Sequence, residues 1–600
     1  MNSGSANLPA AAGALHDAIQ ENGVPGRVVQ WNFCSGFWRF GVKKLRWLLL
    51  TFLFTTCANV SAQTYDVIIR GGHVIDGAGN PWIKADVGIR AGRIARIGRL
   101  DGAQATRVID ATGQVVTPGF IDMHTHSEYT LLYDGNAQSK IRQGVTTEVF
   151  GEATSPGPIE GPGVGPNQEL LKPLGIDLTW NNLDGYFQRL MKTGSSVNVA
   201  SYVSACQVRY DVVGFENRSP TADEMEKMRR LVASSMEQGA VGLADALEAT
   251  CGYGKTDELI EEAKVVARYG GIYGTHLRGE GDTVLDSIRE AIEIGEKANV
   301  PVEIFHIKVA GSNNWGRMPE LVALINSARA RGVDINANQY PYIAANHPTL
   351  PLLPPWALEG GLDKTMERLR DPQLRIRIKH DIENGLPGWN SNYVRQSGGW
   401  QGIVIGATHT EKNASLPGKT LEEIGRIREK DPADAFFDLL IEEHGQVVCM
   451  PFMMNEKDVQ TALREPWVDI ASDGSSFSTE GLLSAGHPHP RNFGTFPRVL
   501  GHYVRDEKVL TLEDAVRRMT SLAAQRLGLK DRGLLREGYW ADVVVFDPNR
   551  ISDTATFASP KQYPEGINYV LVNGRVVIDQ GNHTGTRPGM ALRGPGYRGN

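Results

Sequence analysis

The stretch TPGFIDMHTHSEYT, residues 117–130, places His124 and His126 one residue apart at the end of an apolar run. Residues that alternate along a strand share a face, so both imidazoles would point the same way whatever their purpose. The spacing therefore predicts a buried strand that ends in two polar side chains. Whether these side chains bind a metal or only occupy a turn depends on what other strands bring to the same place.

Segments of similar character recur along the chain, and helical patterns separate the early ones. They are VTTEVFGE (145–152), VNVASYVS (197–204), VGLADAL (241–247), GIYGTHL (271–277), VEIFHIK (302–308), VDINANQY (333–340) and WVDIASDG (467–474). Strands that alternate with helices indicate parallel strands joined by crossover helices. With residues 119–126 they make eight. An α/β fold with a TIM-like (β/α)8 barrel is therefore predicted, with reactive side chains at the C-terminal ends of its strands.

Short alternating runs with glycine turns mark two segments, one toward each end of the chain. Residues 63–117 and 533–595 each have this pattern, and Asn573-Gly574 is a strong hairpin signal. Neither segment alone would bury enough apolar surface, so we expect them to pair into one small β-sandwich domain. The barrel then occupies residues 118–532. Within it, residues 343–466 are too long for an ordinary connection and are interpreted as a lid or inserted subdomain near the barrel mouth.

Composition sets the class of protein. The 600 residues are 41% hydrophobic and 22% charged, with a formal net charge of -7. Such a chain can bury a large core, and it is expected to form a large domain and a smaller one. The body of the chain carries no run of lysine or arginine, so a nucleic-acid partner has no electrostatic support.

Residues 1–62 are interpreted as an N-terminal extension and signal peptide. Lys43, Lys44 and Arg46 precede the apolar run WLLLTFLF (47–54), and small residues at Val60 and Ala62 suit a signal peptidase. The run is shorter than the roughly 20 residues needed to span a bilayer, so no membrane span is expected in the mature protein. A periplasmic or secreted protein is predicted. The alternative for this segment is a buried N-terminal helix.

The long stretch before the basic flank suggests that translation begins near Val42 rather than at Met1. Cys57 lies in the signal, but Thr56 before it fits a lipoprotein site poorly. Three cysteines would remain after cleavage: Cys206, Cys251 and Cys449. They make no disulfide framework, although one pair could form outside the cytosol. Cys251 is read as part of a glycine-rich turn rather than as a functional thiol.

Polar residues at the predicted strand ends form one candidate metal site. They are His124 and His126 on the first strand, Glu152 on the second, His276 on the fifth, His306 on the sixth and Asp473 on the eighth. Imidazole and carboxylate groups hold zinc-like ions, and a hydrolytic site leaves one position open for water. Each residue alone has an ordinary structural explanation. Their convergence at one barrel face predicts a metal-dependent hydrolase.

A series of motifs supports a family resemblance. PGFIDMHTH, GVTTEVFGE, YGTHLRGEGD, VPVEIFHIK, NWGRMPE, YPY, and SDG followed by HPHPRNFGTFPRVLGHYVR resemble the N-acyl-D-amino-acid deacylases, or D-aminoacylases, of the amidohydrolase superfamily. The motifs run from about Tyr65 to Val577 in family order. The resemblance implies a hydrolase that cleaves the carbon–nitrogen bond of linear amides other than peptides. Its products would be a carboxylate and a free D-amino acid, released from a small N-acyl amino acid.

The resemblance also implies roles for matching residues. His124 and His126 would be the first-strand metal pair, His276 and His306 further ligands, and Asp473 the catalytic acid–base. Lys308, Tyr340 and Arg491 would form a clamp on the substrate carboxylate. From the residues alone, Lys308 lies two positions beyond His306 and so would share its face, and an arginine fork suits a carboxylate. The ordinary alternatives are that Lys308 is a solvated strand end and that Arg491 packs its loop.

The chain departs from the family at two places. Many D-aminoacylases have a cysteine ligand where this chain has Glu152, and a carboxylate can bridge two ions. One or two Zn²⁺ ions, or another divalent metal, are therefore expected, unless Glu152 only orients the ligands. The second departure is ADALEATCGYGKTDEL (244–259), which stands where the family has a substrate loop. No substrate residue can be carried over there.

Several alternatives remain open. His487 and His489 of the GHPHPR run are interpreted as part of a loop that brings Arg491 inward, and either could contact substrate. A cyclic-amide hydrolase of the dihydropyrimidinase type would need a bridging lysine on the fourth strand, and VGLADAL has none. A dipeptidase acting on peptides that contain a D-amino acid is another enzymatic possibility. The non-enzymatic alternative is a barrel that only binds an anion.

Overall fold

A computed structural model describes residues 64–247, 251–390 and 392–599. The predicted signal peptide, the alternative start at Val42 and Cys57 lie outside the described residues. The described part of the chain belongs to one compact unit. None of its helices is long and apolar enough to cross a membrane.

Strands predominate near both ends of the described chain and alternate with helices between them. In chain order the strands are β1 (Tyr65–Val74), β2 (Ile83–Arg90), β3 (Arg93–Gly98), β4 (Ala105–Asp110), β5 (Val115–Pro118), β6 (Phe120–Thr125), β7 (Val145–Phe150), β8 (Asn198–Ser201), β9 (Val203–Ser204), β10 (Gly242–Ala246), β11 (Ile272–His276), β12 (Val302–Ile304), β13 (Ile335–Gln339), β14 (His347–Pro348), β15 (Ile403–Ala407), β16 (Val448–Pro451), β17 (Val468–Ile470), β18 (Val543–Phe546), β19 (Ile567–Val572), β20 (Arg575–Asp579) and β21 (Asn582–His583).

Helices connect most of these strands. The α-helices are Thr130–Tyr133, Gln138–Ile141, Val164–Leu171, Leu183–Thr193, Ala205–Val212, Ala222–Glu237, Thr256–Arg268, Val284–Ala298, Met318–Ala330, Pro355–Leu358, Leu362–Arg370, Pro372–Asn384, Tyr393–Gln396, Leu421–Ile427, Pro432–Glu442, Glu456–Leu463, Arg491–Arg498, Leu512–Arg517 and Ala523–Arg526. Val499–Asp506 and Arg518–Leu522 are π-helical. Single 3₁₀ turns are Gly161–Gly163, Lys172–Leu174, Cys251–Tyr253, Leu350–Leu352, Trp400–Gly402, Glu411–Asn413 and Leu482–Ser484.

The eight segments predicted as barrel strands all form strands, namely β6, β7, β8 with β9, β10, β11, β12, β13 and β17. Neighbours pair in parallel in the order β6-β7-β8 and β9-β10-β11-β12-β13-β17. Two hydrogen bonds join the last segment to the first, from Asp473 N–H to the His124 carbonyl (2.9 Å) and from His126 N–H to the Gly474 carbonyl (3.1 Å). The ends of the first and eighth strands are therefore adjacent, as a barrel requires.

One crossover helix shows how capping residues set its ends. The helix Ala222–Glu237 starts at Thr221, whose hydroxyl accepts the Glu224 N–H while the Glu224 carboxylate accepts the Thr221 N–H. This reciprocal capping satisfies two donors that a helix start would otherwise leave unpaired. The chain leaves the helix through Gly239, whose φ of 98° favours glycine.

The terminal segments pair, as predicted. β18 runs antiparallel to β5, and β5 lies beside β1, so both ends of the described chain contribute to one nine-stranded sheet. Asn573 and Gly574 both have positive φ, as a two-residue hairpin between β19 and β20 requires. The sheet has an apolar cluster drawn from both segments, which includes Val67, Val87 and Val543. This shared core explains why the two segments need each other.

Residues 343–466, called the insert, separate β13 from β17 in sequence but not in space. β13 and β17 pair directly, with Asn338 opposite Asp469. The insert contains the three-stranded sheet β14-β16-β15, and its apolar cluster includes Leu352 and Phe436 together with Tyr340 of the barrel. The insert therefore packs onto one end of the barrel without interrupting the strand order.

Candidate metal centre

Six side chains from five barrel strands converge at the C-terminal end of the barrel. His124, His126, Glu152 and Asp473 bring one ligand atom each to within 4.8 Å of one another, and Glu152, His276 and His306 form a second such group. These six residues, the strand-end cluster, are the ones that the sequence predicted as metal ligands. The structure brings all of them together.

Glu152 belongs to both groups because its two oxygens face different histidines. Oε2 lies 3.3 Å from Nε2 of His124 and 3.3 Å from Nε2 of His126. Oε1 lies 3.5 Å from Nδ1 of His276 and 3.6 Å from Nε2 of His306. The carboxylate therefore stands between two pairs of imidazoles, one oxygen toward each pair.

Asp473 closes the cluster from the eighth strand. Its Oδ1 lies 3.0 Å from Nε2 of His126, and its Oδ2 accepts a hydrogen bond from Arg491 Nη1 at 2.7 Å. Asp473 has a φ of 50°, and His306 has a φ of 36°. Positive φ is uncommon for residues other than glycine and is often found at functional sites.

A set of buried, hydrogen-bonded polar residues next to Asp473 stabilises its positive-φ backbone conformation. Lys140, which is fully buried, donates hydrogen bonds to the Asp122 carboxylate and to the Ser472 hydroxyl. Asp122 also accepts the backbone N–H of Ser472 (2.9 Å), and the Ser472 hydroxyl accepts that of Gly474 (3.1 Å). The backbone on both sides of Asp473 is thus tied to β6.

The donor set of the strand-end cluster fits a divalent metal ion. Neither ring nitrogen of His124 has a hydrogen-bond partner in the described residues, and Glu152 Oε1 also lacks one. Buried polar atoms are normally paired, so the convergence of several such atoms at one place indicates a binding site for an ion. Burial lowers the pKa of His124 and so favours the neutral imidazole that binds metal. Burial alone would raise the pKa of Glu152, but His124, His126 and His276 hold it well below its ordinary value.

The sixth strand is shorter than predicted. β12 ends at Ile304, so His306 lies beyond the strand rather than within it, and strand alternation is the wrong reason to pair it with Lys308. The two side chains are nevertheless adjacent, since Lys308 Nζ lies 2.6 Å from His306 Nδ1. The Glu280 carboxylate contacts the same lysine and lies 3.3 Å from His306 Nδ1. Lys308 is buried, so it is not a solvated strand end.

The other two predicted clamp residues lie against each other. The Arg491 guanidinium carbon is 4.9 Å from the centre of the Tyr340 ring. The Tyr340 hydroxyl and Arg491 Nε have no hydrogen-bond partner in the described residues, although both side chains are buried. With Lys308 they line the same cavity, which has a volume of about 480 Å³. The structure thus groups all three clamp residues beside the strand-end cluster.

His489 supports Arg491. Its Nδ1 accepts the Arg491 backbone N–H at 3.0 Å, and its Nε2 lies 3.0 Å from the Ala344 carbonyl. Burial and the adjacent Arg491 hold the pKa of His489 well below its ordinary value. His489 also lines the cavity, whereas His487 contacts the Phe557 carbonyl at 2.6 Å. The two histidines of the GHPHPR run therefore do different things.

Two features of the site escaped the sequence analysis. Glu280 has no role in the predicted site, although it lies four residues beyond His276 and contacts Lys308. Cys206 and Cys251 form a disulfide, and both line the cavity. Cys251 lies in a turn, as predicted, and the one cysteine pair that the sequence left open is formed by Cys206 and Cys251. The sequence signal for this disulfide was the position of the two cysteines, since Cys206 follows the third predicted strand and Cys251 follows the fourth.

Known proteins share this architecture. Residues 107–578 match the model of the amidohydrolase family. D-aminoacylase from Alcaligenes xylosoxydans xylosoxydans is 35% identical over 539 residues, which cover 88% of this chain and 98% of that protein. Among solved structures, N-acyl-D-glutamate deacylase from Bordetella bronchiseptica, complexed with zinc and a phosphonate inhibitor, superimposes with a TM-score of 0.74. It is 30% identical, and the match covers 88% of this chain and 100% of that one.

Another solved structure is a D-aminoacylase with a binuclear metal center, for which activation by one metal and attenuation by a second metal are described. It superimposes on this chain with a TM-score of 0.71. It is 34% identical, and the match covers 88% of this chain and 100% of that one. The family match spans most of the chain, and two of the similar solved structures are described with zinc or with a binuclear metal center. The chain belongs to the amidohydrolase family, in the branch of the D-aminoacylases.

Proposed function

We propose that this protein is a metal-dependent hydrolase that cleaves the amide bond of N-acyl-D-amino acids, giving a carboxylate and a free D-amino acid. The observation that carries the proposal is the position of Glu152, one oxygen toward each of two histidine pairs, beside Asp473 and a cationic clamp. Such an arrangement suits one or two zinc-like ions next to an anionic substrate. Membership of the D-aminoacylase branch supports the same activity.

The ligands of the proposed metal would be the six residues of the strand-end cluster. Bound there, a divalent ion would polarise the scissile carbonyl and make a water molecule more acidic. Glu152 would hold its position between the histidine pairs, and the buried His124 would present a ring nitrogen that has no hydrogen-bond partner among the described residues. The buried surroundings keep bulk water away from these groups and so strengthen their electrostatic interactions.

Asp473 would move the proton. Its Oδ1 faces His126 and its Oδ2 faces Arg491, so the carboxylate lies between the metal ligands and the clamp. It would take a proton from the attacking water and deliver it to the leaving nitrogen, acting first as base and then as acid. The hydrogen bonds of Lys140 and Asp122 would keep the Asp473 turn in place during both transfers.

The clamp would orient the substrate by its carboxylate. Arg491 offers a bidentate fork, Tyr340 offers a hydroxyl that has no hydrogen-bond partner among the described residues, and Lys308 contributes positive charge. Among the described residues that line the cavity, Lys308 and Arg491 are the only lysine and arginine. One anionic group can therefore be matched at this end of the cavity, as an N-acyl amino acid requires.

The test is a screen of the purified protein against N-acyl-D- and N-acyl-L-amino acids, with metal analysis of the same preparation. We expect release of free amino acid from the D series, loss of activity with a chelator, and recovery with Zn²⁺. Preference for dipeptides that contain a D-residue would favour the dipeptidase alternative. Hydrolysis of cyclic amides alone would favour the dihydropyrimidinase type. Tight binding without turnover in the metal-loaded protein would favour a barrel that only binds anions.

We also propose that the enzyme is exported to the periplasm or secreted. The basic flank, apolar run and small residues of positions 43–62 support export. The Cys206–Cys251 disulfide agrees with an oxidising compartment, since such bonds are rare in cytosolic proteins. N-terminal sequencing of protein from the extracytoplasmic fraction should give a start near residue 63. A mature chain that retains residues 43–62 would contradict export by this signal.

A further inference from the structure

The Cys206–Cys251 disulfide lies on the side of the cavity opposite the clamp. Cys206 follows the third barrel strand and Cys251 the fourth, whereas the clamp residues follow the sixth, seventh and eighth. In a ring of eight strands these positions face each other across the barrel mouth. The strand-end cluster lies between them, because its ligands come from the first, second, fifth, sixth and eighth strands.

Among the described residues, the surface around the disulfide is uncharged and consists mainly of small side chains. The lining residues on this side are Ala153, Cys206, Tyr210, Ala246 and Cys251, which together are called the cystine wall. No lysine, arginine, aspartate or glutamate belongs to it. An apolar group of a ligand would lose water on contact with this wall at no electrostatic cost, whereas a charged group would find no partner there.

Short links fix the cystine wall to the strand-end cluster. The Ala246 N–H donates a hydrogen bond to Cys206 Sγ at 3.3 Å. The Ser204 hydroxyl, at the start of the helix that carries Cys206, donates to the Ala153 carbonyl at 3.0 Å. Ala153 directly follows Glu152, and Ala246 pairs with His276 across β10 and β11. The disulfide is therefore positioned relative to two proposed metal ligands.

We infer that the cystine wall is the binding surface for the acyl chain of the substrate, and that the Cys206–Cys251 disulfide determines acyl-chain specificity; this inference rests on the proposed function. In a trans amide, the two substituents of the C–N bond point in opposite directions. With the carboxylate held at the clamp and the carbonyl at the strand-end cluster, the acyl chain extends away from the clamp. That direction leads to the cystine wall.

The disulfide acts locally rather than holding the fold together. A buried ion pair between Arg209 and Glu258 (2.6 Å) independently joins the helix of Cys206 to the helix that follows Cys251. Arg278 donates hydrogen bonds to the carbonyls of Gly252 and Gly254 and so secures the turn of Cys251 from another side. Opening the disulfide should therefore loosen the cavity wall while leaving the barrel folded and the cluster in place.

The experiment measures kcat/KM for two substrate series with the zinc-loaded full chain. The first keeps one D-amino acid and lengthens the acyl group from acetyl to butanoyl to hexanoyl. The second keeps the acetyl group and lengthens the side chain from D-alanine to D-norvaline to D-norleucine. Burial of one CH₂ contributes about 0.8 kcal/mol, so each methylene held by an intact wall should raise kcat/KM about fourfold.

Each series is measured before and after treatment with a water-soluble phosphine. The phosphine gives two electrons to the S–S bond, which becomes two thiols, and is itself oxidised to the phosphine oxide with oxygen from water. A phosphine is preferred to a thiol reductant because thiolates bind zinc. The C206S/C251S double variant repeats the test without reductant. Cys449→Ala is the matched control, since Cys449 is a buried free cysteine in the insert that does not line the cavity.

We expect a Cys206–Cys251 linked peptide in a non-reduced digest. Reduction should lower the gain per acyl methylene from about fourfold to less than about twofold, with the side-chain series and the zinc content unchanged. The double variant should match the reduced enzyme, and Cys449→Ala the untreated one.

Four results would overturn the inference: no linked peptide, an unchanged acyl series after reduction, a change in the side-chain series instead, or an equal loss in both series. If the disulfide-bonded, zinc-loaded enzyme hydrolyses no N-acyl-D-amino acid, the proposed function itself fails. That failure is distinguishable because it precedes any reduction.

Discussion

The strand-end cluster and the cystine wall border one cavity, but different interactions hold their residues in place. The cluster side chains come from strand ends or from residues just beyond them, and hydrogen bonds between strands fix the backbone positions. The wall consists largely of residues that follow the third and fourth strands, and a disulfide and single side-chain hydrogen bonds hold it. Substitutions at the cluster should therefore abolish the reaction, and changes at the wall should alter which substrate is preferred.

The most severe test of this difference is Asp473→Asn. The variant keeps an oxygen ligand and the shape of the side chain but cannot accept a proton as a carboxylate does. We expect kcat to fall about 10⁴-fold, near the upper end of what one acid–base group contributes. Zinc content, measured on the same preparation, should remain. Asp363→Asn, at an exposed position in the insert, is the control and should have wild-type kcat. A near-normal rate for Asp473→Asn would remove this residue from the mechanism.

Substitution of Glu152 tests metal binding separately from proton transfer by Asp473. Glu152→Gln offers one carbonyl oxygen and no charge between the two histidine pairs. Metal affinity should fall by more than about 100-fold, since loss of an outer partner of a ligand already costs 10- to 100-fold. Equilibrium dialysis with Zn²⁺ measures this directly.

Glu152→Cys is the informative companion variant. It introduces the ligand that many D-aminoacylases have at this strand end, and a thiolate holds a single zinc tightly. We expect it to bind zinc more tightly than Glu152→Gln does. Equal zinc affinity in Glu152→Gln and wild type would show that Glu152 only orients the other ligands.

The difference between strand ends and loops also explains which residues of the site could be predicted from the sequence. Parallel strands end at one face, so strand ends could be located from residue patterns, and His124, Glu152 and Asp473 followed from them. Glu280 was missed because it lies in a loop, where no strand period sets the direction of a side chain. The pairing of Cys206 with Cys251 was not predictable because cysteine connectivity depends on how loops fold. Lys308 lies beside His306, as predicted, but the loop after β12, rather than strand alternation, brings it there, and its role in the clamp stays a prediction.

Lys140 tests whether the cluster depends on buried support below it. Lys140→Met keeps an apolar chain of similar length but leaves the Asp122 carboxylate buried without its cation. Breaking a buried ion pair in this way costs about 3–5 kcal/mol, so the urea midpoint of unfolding should fall markedly. Lys430→Met removes an ion pair with Asp438 whose lysine is half exposed, and it should cost less than about 1 kcal/mol. Equal midpoints for the two variants would mean that Lys140 gives no special support to the Asp473 turn.

Tyr340→Phe should have the smallest effect, because it removes one hydroxyl from the clamp and leaves the ring against Arg491. A hydrogen bond to a charged group contributes about 1.5–3 kcal/mol, so KM for an N-acyl-D-amino acid should rise about tenfold or more. The kcat should change by less than about threefold, because the interaction is present before and during the reaction. Tyr342→Phe is the matched control, since the Tyr342 hydroxyl is also buried without a hydrogen-bond partner in the described residues but Tyr342 does not line the cavity. A large fall in kcat with an unchanged KM would show that Tyr340 acts in the chemical step rather than in substrate binding. The clamp would then belong with the strand-end cluster, as part of the machinery that the reaction requires.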